Sequence, residues 1–191
     1  GKVELGFPLP ALATEILTTT GHHLRERSPQ RQPLTEGRFE KVSMAGRPGF
    51  DASLLLSAGE PGFGFEHGEV YSAHVGWSGN SVLSAERQPY TTGLIGGGEV
   101  LLGGEATLAR GETYTTPWLY GSYGDGLNEV AARFHDYVRS CHPDLAVKPR
   151  PVILNTWEAV YFDHDYDTLK ALADKAGDAG VQRVGQRGEE D

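Results

Sequence analysis

Apolar and β-branched residues come in short runs from Val3 to about Tyr123, with Gly, Pro, Asn and Ser between them. "ATEILTTTG", "FEKVSM", "ASLLLSAG", "EVYSAHVGWSGN", "SVLSAERQ" and "GGEVLLGGEATLARGETYTTPWLY" each read as one or more strands. In "GEVYSAHVGW" the set Tyr71, Ala73, Val75, Trp77 alternates with Val70, Ser72, His74, Gly76. That period of two predicts an antiparallel strand with one apolar face and one wet face. Many short strands separated by turns predict a β-sandwich.

The period changes at "YGDGLNEVAARFHDYVRSC". Leu127, Val130, Ala131, Phe134, Val138 and Cys141 recur at steps of three and four, which predicts an amphipathic helix with Cys141 on its apolar face. "HPDLAVKPRP" then reads as a connector. Val152–Leu154 is a short buried-strand candidate, and Leu169, Leu172, Ala173 and Ala176 mark a second helix that Gly180 should stop. A sandwich feeding a parallel α/β domain follows from that order. The expected division is 1–124 for the sandwich, 125–150 for the helix and linker, and 151–191 for the start of the α/β domain, with a single β-α unit in it.

Composition narrows the function. The chain has 191 residues, 38% hydrophobic and 23% charged, as folded soluble proteins do. A net charge of −9, with no basic stripe, argues against nucleic acid as a partner. No apolar run approaches the roughly 18 residues that span a membrane. "GKVELGFPLP" lacks the layout of a signal peptide, and the single cysteine cannot form an internal disulfide; both favour a cytoplasmic setting.

Several clusters invite chemistry. "FDHDYD" offers Asp163, His164, Asp165 and Asp167 as metal ligands. A calcium loop counted from Asp163 needs Gly where Thr168 stands and Glu where Asp174 stands, so the acids are better read as favouring a helix N-terminus, and no metal is expected. His22 and His23 are neighbours that would face different ways on a strand, which favours a turn over a zinc site. Cys141 reads as a buried small hydrophobe, since no base can be paired with it. "GFGFEHG" lacks the spacing of a dinucleotide loop, and no phosphate loop with its lysine occurs. Trp157–Glu158 lies just past a strand, where α/β barrels place their chemistry. From position alone, Trp157 could stack a sugar or merely close the rim by packing.

"PRPVILNTWEAVYFDHDYDTLKALADKAGDAGV" resembles the α-galactosidases (melibiases) of glycoside hydrolase family thirty-six. The likeness extends through "RERSPQRQPLTEGRFE", "PGFGFEHGEVYSAHVGWSGN" and "TPWLYGSYGDGLNEVAARFHDYVR", covering roughly Leu5 to Val184. The resemblance implies part of an N-terminal β-supersandwich, with earlier strands ahead of Gly1, then a linker helix and the first β-α unit of a (β/α)8 barrel. It implies retaining hydrolysis of terminal, non-reducing α-D-galactose from galactosides of the melibiose and raffinose type, without a cofactor. It also implies a sandwich that helps build homo-oligomers. The family's two catalytic carboxylates come from later barrel strands, so no catalytic residue is assigned among Glu158, Asp163, Asp165 and Asp167. The tryptophan of the family's N-W-E block carries over to Trp157 as a substrate-lining residue. The family's G-x-W-x-R-E-R segment reads "GHHLRER" here: Gly21, Arg25, Glu26 and Arg27 match, and His23 takes the place of the pocket tryptophan.

The chain alone is therefore expected to be inactive, and the competing reading is a non-catalytic carbohydrate-binding or oligomerisation module. After "AGV" the family supplies an apolar second strand and a D-D-G-W block. Here Val181 and Val184 lead into "GQRGEED", which reads as unable to form a buried strand and suggests a reading-frame slip or a premature end.

Overall fold

The computed structural model describes residues 1–50 and 54–185. Strands β1 (Lys2–Leu9), β2 (Glu15–His22), β3 (Arg25–Pro33), β4 (Gly37–Ser43) and β5 (Leu56–Gly59) come first. β6 (Glu69–Val75), β7 (Ser81–Gln88), β8 (Thr91–Val100) and β9 (Leu119–Asp125) follow. They form an antiparallel four-stranded sheet, β1-β8-β7-β4, and an antiparallel five-stranded sheet, β3-β2-β5-β6-β9. Between them lies a core of Leu9, Ile16, Leu56, Leu83 and Ile95, all nearly inaccessible to water. The predicted sandwich is present.

β6 departs from its predicted one-sided burial. Ala73 and Val75 face the core as expected, but Val70 and Ser72 on the other face are buried too. A helix covers that face. Helix α1 (Leu127–Cys141) sets Val130 against Val70 and Phe63, and the Ser122 hydroxyl donates to the Val130 carbonyl at 3.1 Å. Its first free amides are taken up by the β5–β6 loop: Leu127 N–H donates to the Gly64 carbonyl and Asn128 N–H to that of Phe65, both at 3.0 Å. The "GFGFEHG" segment thus serves as a helix cap.

Cys141 also corrects its sequence reading. It is exposed, as are Tyr137 and Val138 at 49% each. The three-four stripe of α1 is real, but it finds sandwich surface to bury against only around Leu127, Val130 and Phe134.

By its contacts the chain divides into Gly1–Val138 and Arg139–Asp191, the division falling in the last turn of α1. In the second unit a 3-10 turn (Pro143–Ala146) precedes β10 (Ile153–Asn155), α2 (Trp157–Val160), α3 (Tyr166–Asp178) and β11 (Arg183–Gly185). Gly180, at φ 83°, follows the last turn of α3, as its position predicted.

β11 adds a short second strand after "AGV", and it is not the buried one that the sequence reading denied to "GQRGEED". Ile153, Leu154 and Asn155 pair in parallel with Arg183, Val184 and Gly185. A backbone ladder needs aligned amides and carbonyls, which polar residues supply as well as apolar ones. The side chains stay uncovered: Arg183 is exposed, as is Val184 at 43%. The rest of the "GQRGEED" tail, residues 186–191, lies outside the described residues, as does the start of the "ASLLLSAG" run at 52–53.

Candidate functional site

Trp157 stands two residues beyond β10, at the first position of α2. Asn155 Oδ1 accepts the Trp157 backbone N–H at 2.9 Å, and Thr156, only 1% exposed, donates its own N–H to the Gly185 carbonyl. The start of the turn that carries the indole is therefore held by the β10–β11 pair. The indole meets Phe162 edge-on at 4.8 Å between ring centres and Tyr161 at 5.5 Å.

That aromatic cluster depends on an uncommon backbone. Tyr161 takes φ 48°, in the region usually left to glycine, and reverses the chain so that Phe162 comes back onto Trp157. Composition gives no warning of it, since the turn holds neither Gly nor Asn. The Tyr161 hydroxyl donates to Glu158 Oε2 at 3.2 Å, and His164 Nε2 lies 2.9 Å from the Tyr161 carbonyl oxygen. Phe162 and Tyr161 are 65% and 52% exposed, so the cluster offers apolar ring surface to a ligand.

The acidic run beside it has another task. Asp165 caps α3, its Oδ2 accepting the Thr168 N–H at 2.8 Å. That hydrogen bond holds the Asp165 carboxyl below its ordinary value. Among the described residues no group of three or more His, Cys, Asp or Glu side chains is placed to hold a metal ion.

His23 belongs to the first unit, at the tip of the β2–β3 hairpin where His22 pairs with Arg25. It is exposed, tilted over Phe50 at 5.6 Å between ring centres, and His22 Nδ1 lies 2.7 Å from its carbonyl oxygen. A bulge between Thr20 and His22 re-aims the tip. Gly21 makes the bulge feasible, for a Cβ there would lie 2.1 Å from the Arg25 carbonyl oxygen. Leu24 at φ 68° completes the turn, and its N–H donates to Glu26 Oε1 at 2.9 Å. The Glu26 carboxyl is held below its ordinary value by its own backbone N–H and by that of Leu24. The matched Gly21 and Glu26 thus shape the tip that presents His23.

A two-sheet antiparallel sandwich leading through a helix into a parallel β-α-β unit, with an aromatic cluster at the end of its first strand, defines the class of protein. Residues 1–109 match the glycosyl hydrolase family 36 N-terminal domain, and residues 113–185 match melibiase. The chain belongs to glycosyl hydrolase family 36. It is 35% identical to an alpha-galactosidase of Escherichia coli over 186 residues, 95% of this chain and 26% of that protein. It is 32% identical to a bifunctional alpha-galactosidase/sucrose kinase of Mediterraneibacter gnavus, over 89% of this chain and 18% of that one. The crystal structure of an alpha-galactosidase from Lactobacillus brevis superposes with a TM-score of 0.82 at 26% identity, covering 96% of this chain and 25% of that one. A Geobacillus stearothermophilus family 36 alpha-galactosidase in complex with raffinose gives 0.79 at 25% identity, over 95% of this chain and 25% of its own. The chain spans about a quarter of the length of the Escherichia coli, Lactobacillus brevis and Geobacillus stearothermophilus alpha-galactosidases, and less of the bifunctional protein.

Proposed function

We propose that this chain is the sandwich and first barrel unit of a retaining α-galactosidase acting on terminal, non-reducing α-D-galactose in galactosides of the raffinose type. The observation that carries the reading is its 35% identity to the Escherichia coli enzyme, spread over 95% of the chain and across both matched regions. Retention needs a nucleophile and a general acid/base roughly 5–5.5 Å apart. Two of the carboxylates near Trp157 are otherwise engaged: Asp165 caps a helix and Glu158 accepts from Tyr161. This chain contributes substrate-lining surface, with Trp157 as an apolar wall for the sugar and His23 at the position of a second wall. Under the same reading the division is 1–124, 125–150 and 151–191, the setting is the cytoplasm, and the sandwich takes part in homo-oligomer contacts.

Two measurements test it. The 191-residue chain should not hydrolyse an aryl α-galactoside above background, because the rate gain of such enzymes, at least about a million-fold, resides in groups it does not contribute. A chimera carrying residues 1–185 in place of the matching part of the Escherichia coli enzyme should be active. In it, Trp157→Ala should cost about 1–3 kcal/mol in kcat/KM. In the same chimera, His23→Trp should lower KM. Sustained turnover by the short chain, or an inactive but folded chimera, would count against the reading.

A further inference from the structure

The inner face of β8 ends in a carboxylate. Glu99 pairs with Val3 on one side and Ser81 on the other, so it shares a face with Ile95 of the core, and it is only 6% exposed. Burying a carboxylate is costly unless it is paired. The ion pairs among the described residues do not include Glu99. Its partner is a phenol: the Tyr114 hydroxyl donates to Glu99 Oε2, which holds Tyr114 above its ordinary value.

Glu99 lines a cavity of about 360 Å3 at the end of the sandwich. The β6–β7 turn contributes Trp77 and Asn80, and the segment after β8 contributes Glu105 and Tyr114. Each polar group is anchored by the backbone or by a neighbour. Asn80 Oδ1 accepts the Gly46 N–H at 2.8 Å, which leaves its amide protons as donors, and Glu105 Oε2 accepts the Leu102 N–H at 2.5 Å. The Trp77 indole folds back over Gly79, where a Cβ would lie 2.4 Å from Nε1, and it remains 44% exposed.

This wall selects its ligand by chemistry. Two carboxylates and no basic side chain line it, so anions are disfavoured. The described residues supply no set of three His, Cys, Asp or Glu ligands for a cation. What remains is a neutral molecule rich in hydroxyl donors with an apolar face for the indole. The volume lies near the low end of small-molecule sites, about 300–1,000 Å3, which suits a single ring. We propose that this cavity binds a neutral pyranose, with Glu99 and Glu105 accepting from ring hydroxyls, Asn80 donating, and Trp77 covering one face. The proposal stands on the sandwich alone and is independent of catalysis.

The test uses the 191-residue chain with Trp118→Phe and Trp157→Phe, which leaves Trp77 as its sole indole. Methyl α-D-galactopyranoside and methyl α-D-glucopyranoside are titrated against its fluorescence. The expected result is a saturable change for at least one of them, with Kd of about 1 mM. Galacturonate should bind at least about tenfold more weakly, as a carboxylate wall requires. Glu105→Gln, on an exposed loop, should weaken the neutral sugar about fivefold with an unchanged melting temperature. Glu99→Gln should weaken it more, and Trp77→Ala should abolish saturation-transfer NMR contacts. The proposal is overturned if neither sugar gives a saturable change up to about 50 mM, roughly fifty times the expected Kd. Galacturonate binding as well as the neutral sugars, a calcium ion producing the change instead, or a folded Glu105→Gln chain binding undiminished would each overturn it too.

Discussion

Asp165 shows how much one carboxylate can settle at a helix end. Its Oδ2 takes the Thr168 N–H, and the bond lowers its pKa. A group whose folded pKa is depressed contributes stability above its unfolded value, about 3.9, and loses it as pH falls through the folded one. The first turn of α3 should therefore loosen below about pH 4. Thr168 amide exchange, followed by NMR from pH 6 to pH 3, should accelerate beyond its intrinsic pH trend in the native chain. Asp165→Asn keeps a capping oxygen and removes the charge, so its Thr168 protection should follow the intrinsic trend. An Asn variant with the same excess acid response would show that another group titrates. At this scale the sequence was informative where chemistry is local: acids ahead of a helix favour its N-terminus whatever surrounds them. It was uninformative where the backbone does the work. Nothing in "WEAVYFD" foretells Tyr161 at φ 48°, and nothing in "GWSGN" or "GGEV" foretells that Trp77 and Glu99 share a cavity.

Among elements, α1 is fixed to the sandwich through a small buried cluster. Phe63, 1% exposed, packs with Val70 and Val130, and Arg31 lies 4.4 Å above its ring while donating to its carbonyl at 2.7 Å. Phe63→Ala should cost about 3–5 kcal/mol in urea unfolding of the first unit. Val138→Ala, on the same helix but 49% exposed, should change stability by no more than about 0.5 kcal/mol. Equal effects would mean that the whole helix stripe is buried. The pattern of three and four located α1 correctly but could not say which part of its stripe had a partner, which is why Cys141 was misplaced. The pattern of two located β6 and its inner face, but missed the helix over the outer one. β3, "RERSPQRQP", is exposed throughout and carries no apolar signal, so only its pairing with β2 reveals it. β11 escaped for the same reason.

Across the whole molecule, burial is divided very unevenly. The first unit holds a two-sheet core with Leu9, Ile16, Leu56 and Ile95 at 2% exposure or less. In the second unit, Thr156 and Ala176 are the buried residues among those described, while Val152, Ile153, Phe162 and Tyr166 are each more than half exposed. A parallel pair draws its stability from cover on both faces, and a lone pair of strands is marginal in water. The two units should therefore open with different free energies. In hydrogen exchange of the 191-residue chain, amides of β5 to β8 should open only with global unfolding, at about 5–15 kcal/mol. Amides of β10, α3 and β11 should exchange at least about a hundredfold faster, a gap of about 2.7 kcal/mol or more. Ligation into the chimera offers the contrast: cover from further barrel units should slow exchange in β10 and β11 and leave β5 to β8 unchanged. Equal protection in both units of the short chain would show that the second is stabilised by something other than its buried apolar surface.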